Sequence, residues 1–227
     1  MPDFTAEQLR SLVASCEQFR TSRAPEGYPT SLALCIIDSI QSTGVRYPSV
    51  VKIVDRYRRH RRGQGGDPNA DGTAELLATF DELGDPAGWA KTIGNRHRTS
   101  THAWAPLKAT AIRDATRVLD AERVSTADAL REVADDEVRF AAVESAWRSV
   151  TGQGSGITWR YMGMLAGIPG VKPDRMIVRY TADTLNLPRS GVTAEFAGAI
   201  VTAAAAEMGI SPTDLDHGIW QWQRRRR

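Results

Sequence analysis

The sequence predicts an all-helical protein, and three observations predict it. Apolar residues recur at spacings of three and four nearly throughout, no stretch of any length alternates apolar with polar, and helix-start signals punctuate the chain. The 227 residues suffice for one large domain or two small ones. Apolar residues make up 41% and charged residues 25%, which excludes a disordered chain. The longest apolar runs, ALCII and AIVTAAAA, fall well short of the roughly 18–20 residues a membrane span needs, so no membrane partner is expected. The opening MPDFTAEQLRSL is a polar amphipathic pattern without an apolar signal core, and a cytoplasmic location is expected.

The elements follow in order. Leu9, Leu12, Val13, Cys16 and Phe19 predict a helix over 5–19, and SRAPEGYP (22–29) a turn-rich connector. Leu32, Leu34, Cys35, Ile36, Ile37 and Ile40 make 31–43 a core helix. Pro48 can open the next, which carries Val50, Ile53, Val54 and Tyr57. GQGGDPNADG (63–72) is a loop by composition, and short helices follow at 73–82 and after Asp85. GNRHRTSTH (94–102) reads as a basic loop. Helices are expected at 106–120, 126–134, 137–150 and 157–166, with Gly152, Gly154 and Gly156 interrupting the last two. Pro173 suits the first turn of a helix continuing over 174–186. Thr193 caps 194–208, and Ser211-Pro212 starts 212–223 with Asp214 in the acidic first turn. The segments vary in length and spacing, which argues against a solenoid.

Two cysteines, Cys16 and Cys35, are too few for a four-thiolate iron–sulfur cluster or a cysteine zinc site, so both read as buried thiols. The twenty-nine basic residues include only four lysines, Lys52, Lys91, Lys108 and Lys172. Arginine forks phosphate in two-point contacts and suits an anionic polymer, although a GC-rich genome gives the same bias.

Three segments carry candidate chemistry. SVTGQGSGITWRYMGMLAG (149–167) is helix, Gly-x-Gly-x-Gly turn, helix; such glycines let backbone N–H groups approach phosphate, and a plain interhelix turn is the simpler reading. GIPGVKPDRMIVRY (167–180) sets Asp174 at a helix start, where the dipole favours its ionised form and a simple end charge is the alternative. DSIQST (38–43) ends the apolar helix with Asp38, Ser39, Gln41, Ser42 and Thr43, as caps or as the lining of a cleft.

Together, in this order and spacing, the three resemble the helix–hairpin–helix base-excision DNA glycosylases, the endonuclease III and adenine-glycosylase superfamily. The resemblance covers roughly residues 28–185 and lies in Ser39-Ile40-Gln41-Ser42-Thr43, in Val150-Thr151-Gly152-Gln153-Gly154-Ser155-Gly156, and in Pro173-Asp174-Arg175-Met176, with AKTIG (90–94) and LKATAI (107–112) between. It implies a two-lobed helical fold. One lobe is a helical barrel over 28–150, the helix–hairpin–helix occupies 145–166, and a second lobe combines 1–27 with 174–227. DNA would lie in the cleft, with Gln41 on one wall and Asp174 on the other.

The same resemblance assigns the roles. Asp174 is the catalytic carboxylate, stabilising oxocarbenium charge on the deoxyribose or positioning the attacking water. Gln41, with Ser42 and Thr43 beside it, fills the gap left by the flipped base. Gly152, Gln153, Gly154, Ser155 and Gly156 grip phosphate, with a Na+ or K+ ion allowed at the hairpin backbone, and Lys172 and Arg175 add DNA contacts. Asp38, Trp159 and Tyr161 are the base-pocket candidates; core packing competes for both aromatic residues, whereas Asp38 beside three isoleucines must be paired or face a polar cavity.

The hairpin lysine of strand-nicking members is replaced by Gly156, and the family histidine after the aspartate by Met176. Amine catalysis needs an amine. The expectation is a monofunctional glycosylase without iron–sulfur cluster or other cofactor, a nucleoid-associated monomer acting on duplex DNA that carries a damaged or modified base. A non-catalytic helix–hairpin–helix DNA-binding protein is the alternative, and a helical protein-interaction module the third reading. RYRRHRR (56–62) and the terminal RRRR (224–227) could track phosphates or be solvated helix ends, and Trp104 could be a wedge or a loop anchor. His97 and His102 lack an evident third ligand for zinc, and Trp220, Trp222 and His217 read as structural.

Overall fold

Thr5, Ser31, Asp85, Thr126, Asp136, Thr193 and Ser211 each turn a side-chain oxygen onto an amide of the helical turn that follows. Such caps satisfy amides that a helix start leaves unbonded, and they set where these helices begin. The computed structural model describes residues 4–226. The outermost parts of the expected second lobe, residues 1–3, and Arg227 of the basic terminus lie outside the described residues.

The chain is all-α. Its helices are α1 (Ala6–Cys16), α2 (Leu32–Gln41), α3 (Tyr47–Gly63), α4 (Thr73–Glu82), α5 (Pro86–Thr92), α6 (Lys108–Ala121), α7 (Ala127–Ala134), α8 (Glu137–Ser149), α9 (Ile157–Leu165), α10 (Arg175–Thr184), α11 (Ala194–Met208) and α12 (Pro212–Arg225). Among the described residues the only β pairing is an isolated bridge between Arg98 and Leu107. No helix among them is long and apolar enough to cross a membrane. Two boundaries differ from the sequence reading. The first helix stops at Cys16 and a 3-10 turn, Glu17–Phe19, carries Phe19 into the core. Asp174 is the N-cap of α10, so Pro173 stands before the helix rather than in its first turn.

The chain divides into two compact units, one of Glu26–Ile168 and one of Met1–Pro25 with Pro169–Arg227. In the unit of residues 26–168, α2 is the central element. Every one of its residues is buried, as befits a helix that is apolar all round, and it packs against α3, α4, α6 and α9. Its C-terminus leaves carbonyls unbonded inside the protein. Lys108 at the start of α6 answers them: its Nζ, only 2% exposed as a residue, donates to the Gln41 carbonyl at 2.9 Å and the Thr43 carbonyl at 2.6 Å. A buried cation at a helix C-terminus also meets the negative end of the dipole. Trp89, Trp147 and Trp159 fill the remainder of this core, with the Trp89 indole N–H donating to Thr79 Oγ1 at 3.0 Å.

In the other unit α11 lies against α1, α10 and α12. Its buried face is built largely of small residues, Ala197, Gly198, Ala204 and Ala205, which allow close helix approach. Tyr180 of α10 fills the gap towards α1: its hydroxyl lies 2.7 Å from Ser15 Oγ, and its ring meets Phe19 and Trp222 edge-on at 5.7 and 5.4 Å. Both thiols are free and buried, Cys16 here and Cys35 in the other core. Burial pushes the Cys16 thiol up to about 11 and that of Cys35 up as well, which keeps them unreactive.

Candidate nucleic-acid interface and carboxylate sites

The connection between α8 and α9, residues 150–156, is two successive turns. Val150 leaves α8 in extended conformation; the Gln153 N–H donates to the Val150 carbonyl at 2.9 Å and the Gly156 N–H to the Gln153 carbonyl at 3.0 Å. Gly152 and Gly156 have φ of +89° and +71°, a region glycine enters without strain. Each also has a neighbour that a side chain would crowd. A Cβ on Gly152 would fall 2.5 Å from Thr99 of the basic loop, and one on Gly156 would fall 3.1 Å from Glu144 Oε1.

Gly154 is different. Its φ is not positive, and a Cβ there would meet nothing nearer than the Arg148 carbonyl at 3.8 Å. Neither backbone conformation nor internal packing requires glycine at this position. Gly154 and Ser155 are exposed, and among the described residues their N–H groups carry no hydrogen bond. The N-terminus of α9 follows directly. Arg148 braces the turn by donating from Nε to the Gly154 carbonyl at 3.0 Å. Adjacent free amides at a helix N-terminus form a concave donor site suited to an anion.

Gln153 points inward and is 2% exposed, so its side chain is not a DNA contact. It closes a buried relay: Trp147 Nε1 donates to Thr158 Oγ1 at 3.1 Å, and Thr158 Oγ1 donates to Gln153 Oε1 at 2.7 Å. The polar residue in the hairpin is thereby satisfied inside the unit. The carbonyls of Val150, Gln153 and Gly154 each accept one hydrogen bond already, and a carbonyl oxygen has a second lone pair for an ion. Among the described residues no three His, Cys, Asp or Glu side chains gather where they could hold a metal.

The polar end of α2 is resolved residue by residue. Ser42 Oγ donates back to the Ser39 carbonyl at 2.9 Å and Thr43 Oγ1 to the Ile40 carbonyl at 2.9 Å, so both hydroxyls act as helix-end caps. Gln41 is fully buried, and neither its Nε2 nor its Oε1 has a hydrogen-bond partner. A side chain held this way is not displayed for insertion into a duplex, contrary to the gap-filling role expected of Gln41.

Asp38, also fully buried, sits among tyrosines. Its Oδ2 accepts from the Tyr28 hydroxyl at 2.9 Å and the Tyr47 hydroxyl at 3.1 Å, and Tyr161 of α9 joins the same group. Burial first, and then the Asp38 charge, pushes the Tyr47 hydroxyl up to about 12 and those of Tyr28 and Tyr161 up as well. The tyrosines therefore stay protonated and donate. Arg58 lies over the Tyr28 ring, 5.4 Å from its centroid. Trp159 does not join this group. It is 1% exposed and packs on Phe140 and Trp147 at 5.0 and 5.9 Å, which makes it core rather than pocket wall. Tyr28 and Tyr47 were missed in the sequence; the lone carboxylate among isoleucines demanded partners without naming them.

Asp174 is half-buried, and its Oδ1 accepts from the Met176 N–H at 2.7 Å. Arg175 beside it is exposed and Lys172 half-buried. The segment leading to Asp174 is tied to α12. The Gly170 N–H donates to Thr213 Oγ1 at 3.0 Å, that hydroxyl lies 3.2 Å from the Gly170 carbonyl, and the Lys172 N–H donates to Asp216 Oδ1 at 2.9 Å. Asp216, 8% exposed, was missed in the sequence because nothing in an outwardly polar helix marks it as buried. Burial above all, with the Asp174 charge added, lifts its carboxyl to about 8, against the opposing effect of the Lys172 amide and charge.

The basic run of α3 is partly engaged internally. Arg56 donates to the carbonyls of Ile93 and Gly94, and Arg61 pairs with the buried Asp71 at 2.7 Å. At the end of α12, Arg224 and Arg226 lie over Trp220 and Trp222. In the basic loop, Trp104 is 77% exposed and stacks on His102 at 5.2 Å.

The family model that matches the chain is a domain of unknown function, DUF8548, over residues 10–224. No curated protein and no solved structure matches it.

Proposed function

This chain belongs to the DUF8548 family, and we propose that it is a monofunctional DNA N-glycosylase of the helix–hairpin–helix type, excising a damaged or modified base. The observation that carries the reading is the open hairpin tip. Gly154 and Ser155 offer exposed, unbonded amides at the start of α9, and Gly154 is a glycine that nothing inside the chain requires. A phosphodiester oxygen needs that kind of close backbone approach.

In this reading Asp174 supplies the chemistry. The flipped nucleotide loses its base by cleavage of the C1′–N bond, and positive charge develops on the deoxyribose. The Asp174 carboxylate stabilises that charge and accepts a proton from the water that adds to C1′. The departing base takes up a proton, and an abasic site remains. Gly156 stands where strand-nicking enzymes carry lysine, and with φ of +71° it is a poor position for any side chain. No imine to the sugar forms there, so the strand stays intact.

The test is a set of labelled duplexes carrying uracil, alkylated purines, oxidised bases, mismatches and phage-type modified bases, each read with and without hot alkali. Breakage only after alkali, lost in Asp174→Asn, is the expected result. Breakage without alkali would restore a lyase, and intact duplexes throughout would remove the enzymatic reading. One observation favours the alternative of a non-catalytic helix–hairpin–helix DNA-binding protein: Gln41 is buried rather than displayed. That alternative expects salt-sensitive duplex binding that is indifferent to Asp174→Asn.

A further inference from the structure

Asp174 is delivered by a segment with no secondary structure of its own. From Pro169 to the N-cap of α10 the chain makes no helix, and its bonds to α12 come from Thr213 and Asp216. Thr213 holds the far end, at Gly170. Asp216 holds Lys172, two residues from Asp174, and the Asp174 N–H in turn donates to the Lys172 carbonyl at 2.6 Å. On its other side Asp174 is held by α10, where its carbonyl accepts from the Val178 N–H at 2.9 Å, so Asp216 supplies the side-chain hold nearest to it on the strap.

The surroundings of Asp216 select its charge state. Two charged groups act on it, Asp174 and Lys172, both on the strap. The other charged and titratable groups on α12 and on the elements packed against it are engaged elsewhere or exposed, His217 lying 2.6 Å from Gln221 Nε2. Arg179 of α10 donates to Gln223 at 2.7 Å, and Asp214 of α12 accepts from the Ala24 N–H and pairs with Arg23. Arg20 in the 3-10 region pairs with Glu17, and the acids of α11, Glu195 and Glu207, are exposed. Two carboxylates close together in a buried setting disfavour a double negative charge.

Resting on the glycosylase reading of Asp174, we propose that Asp216 is its positioning residue: the buried Asp216 carboxyl, accepting from the Lys172 N–H, staples the strap 170–174 to α12. Burial and the neighbouring Asp174 charge keep that carboxyl protonated up to about 8, so Asp174 carries the single negative charge of the pair. Ionisation of Asp216 would place a second, buried negative charge beside the reacting centre.

Two measurements on the full chain test this. The first is thermal stability against pH for wild type, Asp216→Asn and Asp174→Asn. The folded chain keeps the Asp216 proton up to about 8, whereas an unfolded aspartate releases it near 3.8. Unfolding between those values therefore releases a proton, and stability falls as pH rises through the window, levelling above it. Asp216→Asn should remove that fall, so its melting temperature relative to wild type climbs from pH 5 to pH 8. Asp174→Asn should end the fall at lower pH, because the neighbouring charge is gone. Curves for wild type and Asp216→Asn that stay parallel over this range overturn the proposal.

The second measurement is single-turnover excision from whichever duplex is cleaved. Asp216→Ala should lower the rate by about a hundredfold, the cost of an ångström-scale misplacement. Asp216→Asn keeps an acceptor for the Lys172 N–H, so it should recover most of the loss, and it should lack the wild-type decline above pH about 8. A rate untouched by Asp216→Ala overturns the positioning role while leaving the glycosylase reading standing. If no duplex is cleaved the glycosylase reading fails instead, and the stability curves decide alone whether the protonated staple exists.

Discussion

Gly154 and Gly156 stand two residues apart and have opposite reasons to be glycine. Gly156 is held at φ +71° beside Glu144, so Gly156→Ala should destabilise the protein by about 1 kcal/mol, read from urea unfolding. Gly154 has room for a methyl group and an ordinary backbone, so Gly154→Ala should leave stability within about 0.5 kcal/mol of wild type. The same methyl group would stand before the free amides, and duplex affinity should fall about tenfold by fluorescence anisotropy, as for loss of one charge-assisted hydrogen bond. A Gly154→Ala protein that binds duplex as wild type does would detach the hairpin from DNA. Asp38 offers a second residue-level test. Asp38→Ala would remove the buried acceptor that the hydroxyls of Tyr28 and Tyr47 share, and a loss of about 3 kcal/mol is expected. Asp38→Asn keeps an acceptor and should cost less.

At the scale of elements, α2 determines how its unit is built. It is apolar on every side yet ends in polar residues, and both the tyrosine group and the Lys108 contact serve that end. Lys108→Met keeps the length of the side chain and removes the cation from two buried carbonyls. It should destabilise by about 2 kcal/mol in urea unfolding, the value of a charge-assisted bond inside a protein. The two helices α8 and α9 and the glycine turn between them were legible in the sequence, with both helix starts met and both ends one residue short, because glycine spacing and helix periodicity are local signals. The inward turn of Gln153 was not legible. Its partner Thr158 lies on α9, and only the relay through Trp147 accounts for a polar side chain there.

The molecule as a whole consists of one unit from a continuous stretch and one from both chain ends. The continuous unit, residues 26–168, contains its own core of α2, three fully buried tryptophans and their neighbours. Expressed alone, this stretch should melt cooperatively with helical circular dichroism, whereas residues 169–227 alone lack α1 and should not. If the hairpin grips phosphate, duplex affinity should fall steeply between about 50 and 200 mM salt. Flat salt dependence would point away from nucleic acid altogether, towards a helical protein-interaction role.

By itself the sequence determined that the protein is all-helical, where most helices begin, that both thiols are buried, and that a glycine turn joins α8 to α9. Each of these rests on periodicity, capping residues or backbone freedom, which act within a few residues of chain. Only tertiary structure decided which polar residues face inward. Gln41 and Trp159 went to the core, Asp38 found Tyr28 and Tyr47, and the Lys172 amide, two residues before Asp174, found Asp216 on a helix some forty residues further on. Hydrogen-bond partners and burial are set by elements distant in sequence, and the charge state of a carboxylate follows from them.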